Sequence, residues 1–210
     1  AAAALAAVVL GALRVACWPE ARAGALNTAA LLLLVVPGSF LAAGLLLQSV
    51  HAGGMLDQFG AAGDWLQRVL PGGLLLCGGY VLRFMYLPLR LTEEALGALD
   101  PALLEAAELA GHSRLGRGLN IALPQAWGHL LAAAALVFVL SIGELPVSDK
   151  LAPPGAVPAS VWLFRQQHLG YTEAVFGLSV LLAGMAVAGL LGAGGLLAWL
   201  KRRPAVRWEG

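Results

Sequence analysis

Apolar residues run along this chain in long unbroken stretches, separated by short polar clusters rather than by single alternating polar positions. A helix needs about 20 predominantly apolar residues to cross a bilayer. Four stretches reach that length, at residues 25–48, 69–89, 126–145 and 174–200, and a fifth at residues 1–13 looks cut short. Membrane barrel strands would alternate with a period of two, so the pattern predicts an all-α, polytopic membrane helical bundle of about five spans. Pro37-Gly38 falls inside the second span and reads as a packing kink, because neighbouring helices can satisfy the backbone groups that such a pair frees. Gly44, Gly72, Gly73, Gly78, Gly79 and the glycines of residues 184–195 read as places of close helix packing.

Composition agrees with the pattern. Of 210 residues, 60% are hydrophobic and 12% charged, with a mean hydropathy of +0.81. Soluble domains carry about 25% charged residues, so disorder and a water-facing surface are both excluded. A net charge of +1 gives no general attraction to nucleic acid. Cys17 and Cys77 lie in or beside apolar stretches and read as packing residues. The chain opens on Ala, with no polar residue among its first thirteen, which reads as the back part of a longer chain rather than a signal peptide.

Lys and Arg accumulate on the cytoplasmic side of a membrane. With five alternating spans, Arg14, Arg22, Arg83, Arg90, Arg114, Arg117, Lys201, Arg202, Arg203 and Arg207 fall on one side, against Arg68, Lys150 and Arg165 on the other. That places the segment between the third and fourth spans, and the basic tail of residues 201–210, in the cytoplasm. Arg83 then sits near the cytoplasmic end of the third span, from where it can snorkel to the interface.

Residues 91–125 differ in kind. They hold Glu93, Glu94, Asp100, Glu105 and Glu108, five of the twelve acidic residues. Asp100-Pro101 is a helix start, since the carboxylate accepts first-turn amides and Pro suits the first helical position. Gly111 is a stop. The helix over residues 101–110 aligns Leu103, Ala106, Ala107 and Ala110, flanked by Glu105 and Glu108, and its small side chains would let a partner's groove approach the backbone. Ser113 can cap a second short helix running into Ile121-Ala122-Leu123-Pro124.

Glu105-Ala106-Ala107, Gly111, Ile121 and Leu123-Pro124, seven positions over twenty residues between two spans, resemble the EAA loop of permease subunits of binding-protein-dependent ABC importers. The resemblance implies a type I importer permease domain over residues 1–200, with the coupling loop at residues 91–125. Glu105, Ala106 and Ala107 would lie in the contact with a separate ATPase subunit dimer, which would hold the ATP and magnesium. Gly111 would supply the turn between two short helices. Ile121, Leu123 and Pro124 would anchor the loop to the membrane part. It further implies a periplasmic or lipid-anchored solute-binding protein and a second permease domain, as a homodimer or a fused half, in the bacterial inner membrane.

A second resemblance covers Val36-Pro37-Gly38, Gly143-Glu144-Leu145-Pro146 and Pro153-Pro154-Gly155, which are similar to segments of ferric-iron-type permeases and their thiamine and phosphonate relatives. Asp149-Lys150 departs from the apolar residues usual there. Glu144 is a candidate for a periplasmic gate or a binding-protein contact, set against a helix-end carboxylate reaching water. Ferric iron is the expected cargo.

The chain contains only Lys150 and Lys201, neither after a Gly-rich phosphate loop, so energy must come from a partner. An intramembrane enzyme would need a nucleophile, base or metal constellation at membrane depth. His51, His112, His129 and His168 are dispersed, without helical ligand spacing, and Ser39 has no acidic or basic companion in its span. No catalytic residue, metal or cofactor is therefore expected in this chain. A membrane assembly protein would explain the bundle but not the matching loop.

Overall fold

The computed structural model describes residues 2–17, 24–56, 73–153 and 155–202. Eleven α-helices follow one another among them: α1 (Ala2–Cys17), α2 (Gly24–Val35), α3 (Gly38–Leu56), α4 (Leu75–Phe84), α5 (Tyr86–Gly97), α6 (Pro101–Leu109), α7 (Arg114–Arg117), α8 (Leu123–Gly143), α9 (Pro146–Leu151), α10 (Ala159–His168) and α11 (Thr172–Arg202). A π-helical turn over Gly118–Ala122 joins α7 to α8.

The central element is α8, which packs against α1, α5 and α11. With α7 and the π turn it forms one helix, Arg114–Gly143, of 30 residues, roughly 45 Å long at 1.5 Å per residue. The π turn has a local cause. Pro124 lacks an N–H and its ring would crowd the carbonyl four residues earlier, and the widened turn just before it takes up that misfit, with Leu123 N–H donating to Gly118 O.

The core is layered along this helix. At the loop end, Val15, Ala95, Leu99, Ala122 and Ala126 pack together. Farther along, Ala3, Ala7, Phe84 and Val137 form a second cluster. Beyond the other end, Leu41 and Ala42 of α3 meet Val147 and Leu151 of α9.

Helix occurs in all five expected stretches, but among the described residues only two helices, or three if the bent pair Gly24–Val35 and Gly38–Ala52 is one span, are long and apolar enough to cross a membrane. Arg114–Gly143 and Thr172–Gly195 are each long and apolar enough to cross a membrane. The apolar window of Thr172–Gly195 has no residue buried within this chain, which leaves its surface for lipid or another protein. The stretch at residues 69–89 is helical from residue 73 within the described residues and continues through Gly97, so Glu93 and Glu94 lie near the end of this helical run, whose apolar part, Leu75–Phe84, is 10 residues long. A turn at Met85 divides it, because Pro88 cannot donate to the carbonyl of Phe84.

Pro37-Gly38 is a larger feature than the packing kink expected of it. The pair breaks the span, and the axes of Gly24–Val35 and Gly38–Ala52 differ by 104°. Pro37 removes one N–H from the ladder. Gly38 removes the side chain that would meet Glu144, Val147 and Pro146, the nearest atom lying 2.6 Å from a built Cβ. Close packing at the other glycines is also narrower than expected: Gly79 lies tight against Leu151 and Val147 and Gly189 touches Phe138, whereas at Gly44, Gly73, Gly78, Gly184, Gly192, Gly194 and Gly195 a built Cβ meets nothing within 4 Å among the described residues. Gly72 lies outside the described residues.

Candidate functional site

The loop between α5 and α8 has two short helical arms, α6 and α7, each capped at its start. Asp100 caps α6, its carboxylate accepting from Ala102 N–H at 3.0 Å, with Pro101 in the first turn. At the far end of α6, Gly111 N–H donates to Glu108 O at 2.9 Å and His112 N–H to Ala107 O at 3.0 Å. This paired closure requires a left-handed residue, and Gly111 supplies it with φ +82°. Ser113 then caps α7, its hydroxyl accepting from Gly116 N–H at 3.2 Å.

Two contacts not anticipated from the sequence fix the arms to each other and to the membrane helices. Arg117 of α7 pairs with Glu108 of α6 at 2.5 Å across the turn. Gly118 lies against the end of α1 so closely that a Cβ there would come within 2.3 Å of the Ala16 carbonyl oxygen. Neither has a local signal, since a tertiary contact with α1 decides the glycine and the pair spans nine residues.

The candidate residues divide by this geometry. Glu105 and Ala106 are exposed on α6, together with Leu103, Ala110 and Leu109, the last 90% exposed. Ala107 turns inward and is buried, so the expected stripe of small residues splits between an outer face and a packed one. Ile121 is half-buried, and Leu123 packs beside Ala122 in the cluster at the loop end. Pro124 is exposed at the start of α8.

A polar cluster ties the neighbouring helix ends at the loop side. Asn27, in the first turn of α2, donates to Glu93, and Arg90 reaches Glu93 and Glu94 at 3.3 Å each. Buried Arg14 of α1 sits in the field of Glu93. Thus the C-terminal ends of α1 and α5 meet the start of α2 beside the loop.

At the other end of the long helix the structure joins residues that the sequence showed as separate motifs. Arg83 does not snorkel to the loop side. It lies fourteen residues before Gly97, about 20 Å of helix away from the loop, and points at the break in the second span. There it donates to Leu34 O at 3.0 Å and to Val36 O. Its Nε lies 3.9 Å from Glu144 Oε2, with the two side chains 17% and 12% exposed. Glu144 is thus turned inward against a cation instead of reaching water. Its backbone carbonyl accepts from Ser148 and, at 3.2 Å, from Ser160, and Tyr80 reaches Ser148 at 2.5 Å.

Among the described residues, no three His, Cys, Asp or Glu side chains come together in a group that could hold a metal ion. Cys17 and Cys77 are both free thiols. Lys150 pairs with Asp149 at 3.6 Å on the surface. Arg22, Arg68, Pro154, Arg203 and Arg207 lie outside the described residues.

A family model described as "Binding-protein-dependent transport system inner membrane component" matches residues 9–206. No curated protein matches the chain.

Proposed function

The chain belongs to the binding-protein-dependent transport system inner membrane components, and on that premise we propose that its α6–α7 loop is the element through which a separate ATPase drives the membrane helices. The observation that carries this reading is mechanical. The loop is capped at both helix starts, closed by Gly111, cross-braced by Glu108 and Arg117, and continuous with the 30-residue helix Arg114–Gly143. Rigid-body motion reaches a membrane only through a stiff and firmly seated element. Glu105, Ala106 and Leu109 form its outward face, and the small alanine lets a cleft close on the α6 backbone.

In this reading the loop and the basic tail face the cytoplasm. A dimeric ATPase holding ATP and magnesium docks there, a periplasmic or lipid-anchored binding protein delivers solute from the opposite side, and a second permease domain, identical or fused, completes the pathway. The bare surface of α11 fits a helix with lipid or that second domain as its neighbour. The cargo we assign is ferric iron, on the likeness of Val36-Pro37-Gly38 and Gly143-Glu144-Leu145-Pro146 to ferric-iron-type permeases, ahead of thiamine, phosphonates and polyamines.

Affinity purification of the full-length protein from its own membrane tests the reading. A P-loop ATPase is expected to co-purify, and Glu105→Lys is expected to lower its recovery several-fold, because it reverses a charge on the exposed face without touching the packing. Equal recovery with both forms would remove Glu105 from the contact. Absence of any ATPase would overturn the coupling role.

A further inference from the structure

Arg83 stands where the carbonyl end of α2 meets the end of α8. Carbonyls at a broken membrane helix find no water in the bilayer core and must be satisfied within the protein, and the Arg83 guanidinium does this for Leu34 and Val36. Helix C-termini carry partial negative charge, so the cation is placed where two of them converge, at Val35 and Gly143. Glu144 directly follows the negative end of α8, but its carboxylate reaches Gly38 at the start of α3, where partial positive charge favours it. The contact between the two is loose. At 3.9 Å it is an ion pair without a hydrogen bond, and Arg83 Nε and Glu144 Oε1 are both buried without a hydrogen-bond partner among the described residues.

Glu144 is also the first residue past a helix that begins at the loop. We infer that Glu144 and Arg83 are positioning residues at the output end of this lever: movement of the loop carries the Arg114–Gly143 helix and Glu144 with it, and Glu144 acts through Arg83 on the fold angle between α2 and α3. The inference rests on the permease reading, but its parts differ. Arg83 holds backbone carbonyls, which only a donor can do, and Glu144 serves as its movable counter-ion. The pair is therefore not exchangeable.

The test is the distance between spin labels at L26C and L47C, both exposed, with Cys17 and Cys77 replaced, in the full-length protein bound to its co-purified ATPase. A straight helix would put these Cα atoms about 32 Å apart, whereas a helix bent by the observed 104° puts them about 19 Å apart. In the parent, the short distance is expected without nucleotide, with a shift on adding ATP and magnesium. Arg83→Gln should lengthen the resting distance, Arg83→Lys should keep it short, and the exchange R83E/E144R should lengthen it as Arg83→Gln does. Glu144→Gln should keep the resting bend and lose the ATP-driven shift while retaining the ATPase. A short resting distance in Arg83→Gln, parent-like behaviour of the exchanged pair, or an undiminished shift in Glu144→Gln would each overturn the inference, as would a parent distance that ignores ATP with the ATPase bound. If no ATPase binds the parent, the permease reading fails instead, and the resting distances still decide whether Arg83 holds the bend.

Discussion

At the loop end of the Arg114–Gly143 helix, Gly118 rests on the backbone of Ala16, beside the apolar cluster of Val15, Ala95, Leu99, Ala122 and Ala126 and the buried Arg14 and Arg117. At the opposite end, Gly38 rests on the carboxylate of Glu144, which faces Arg83. The first contact is between two backbones and cannot yield without moving a helix. The second is between a backbone and the tip of a rotatable side chain. A lever needs this asymmetry, with a seat that does not slip where force enters and a compliant ionic contact where it leaves. Interiors pack closely enough to transmit strain, so the loop end is where added volume should do most damage.

The largest effect is therefore expected from Gly118→Ala. The new Cβ would lie 2.3 Å from the Ala16 oxygen and 2.7 Å from its carbonyl carbon, and forcing that overlap should cost about 1–3 kcal/mol. Thermal unfolding in detergent would show it as a clear fall in Tm. Gly116→Ala is the control, since its nearest neighbour is the Ser113 hydroxyl at 3.3 Å, and it should change Tm little. Equal losses at the two positions would mean that α1 does not seat the loop.

Gly111→Val should come next, and by a different mechanism. Among the described residues nothing lies within 4 Å of a Cβ at Gly111, so the cost is conformational: a β-branched residue at φ +82° is disfavoured by roughly 1–2 kcal/mol. The strain falls on the turn between the arms, so the expected result is retained insertion with uptake lost relative to ATP hydrolysis, measured in proteoliposomes. Gly111→Asn should recover much of the coupling, because Asn tolerates the left-handed region. A valine variant with normal uptake per ATP would show that the turn is not part of the drive.

Legibility in the sequence follows the same division between the two ends. The loop could be read because its determinants are local: Asp100 and Ser113 cap the helices they precede, Gly111 closes the first, and Leu123 anchors beside Ala122. Helical content and the apolar stretches were equally plain. What escaped was tertiary. Arg83 looked like a snorkelling residue because nothing nearby in sequence shows that Leu34 and Val36 lie opposite it, 49 and 47 residues away. Pro37-Gly38 announces a disturbance but not its angle, which depends on the cation available to hold the freed carbonyls. Gly118 appears as one glycine among 27, and its need to be glycine comes wholly from Ala16. The inward turn of Ala107 was hidden for a related reason, since an alanine-rich helix does not declare which of its faces is packed.

The smallest of these effects is expected at Gly38→Ala. A Cβ there would meet Glu144 Oε1 at 2.6 Å, Val147 Cγ2 at 3.1 Å and Pro146 Cβ at 3.2 Å. The closest obstacle is the far end of a flexible carboxylate, and the two apolar atoms need give only a few tenths of an ångström. The stability loss should be about 1 kcal/mol or less, well below that of Gly118→Ala. The displaced carboxylate remains beside Arg83, and the grip of Arg83 on Leu34 and Val36 does not pass through Glu144, so the bend of the α2–α3 pair should persist. Measuring Tm for Gly38→Ala beside Gly118→Ala in one detergent compares the two ends directly. A larger gap between them means a stiffer seat and a softer output. If Gly38→Ala proved as damaging as Gly118→Ala, the break at Pro37 would be as rigid as the loop seat, and the 104° angle would have to be a fixed feature of the fold rather than the place where the lever delivers its motion.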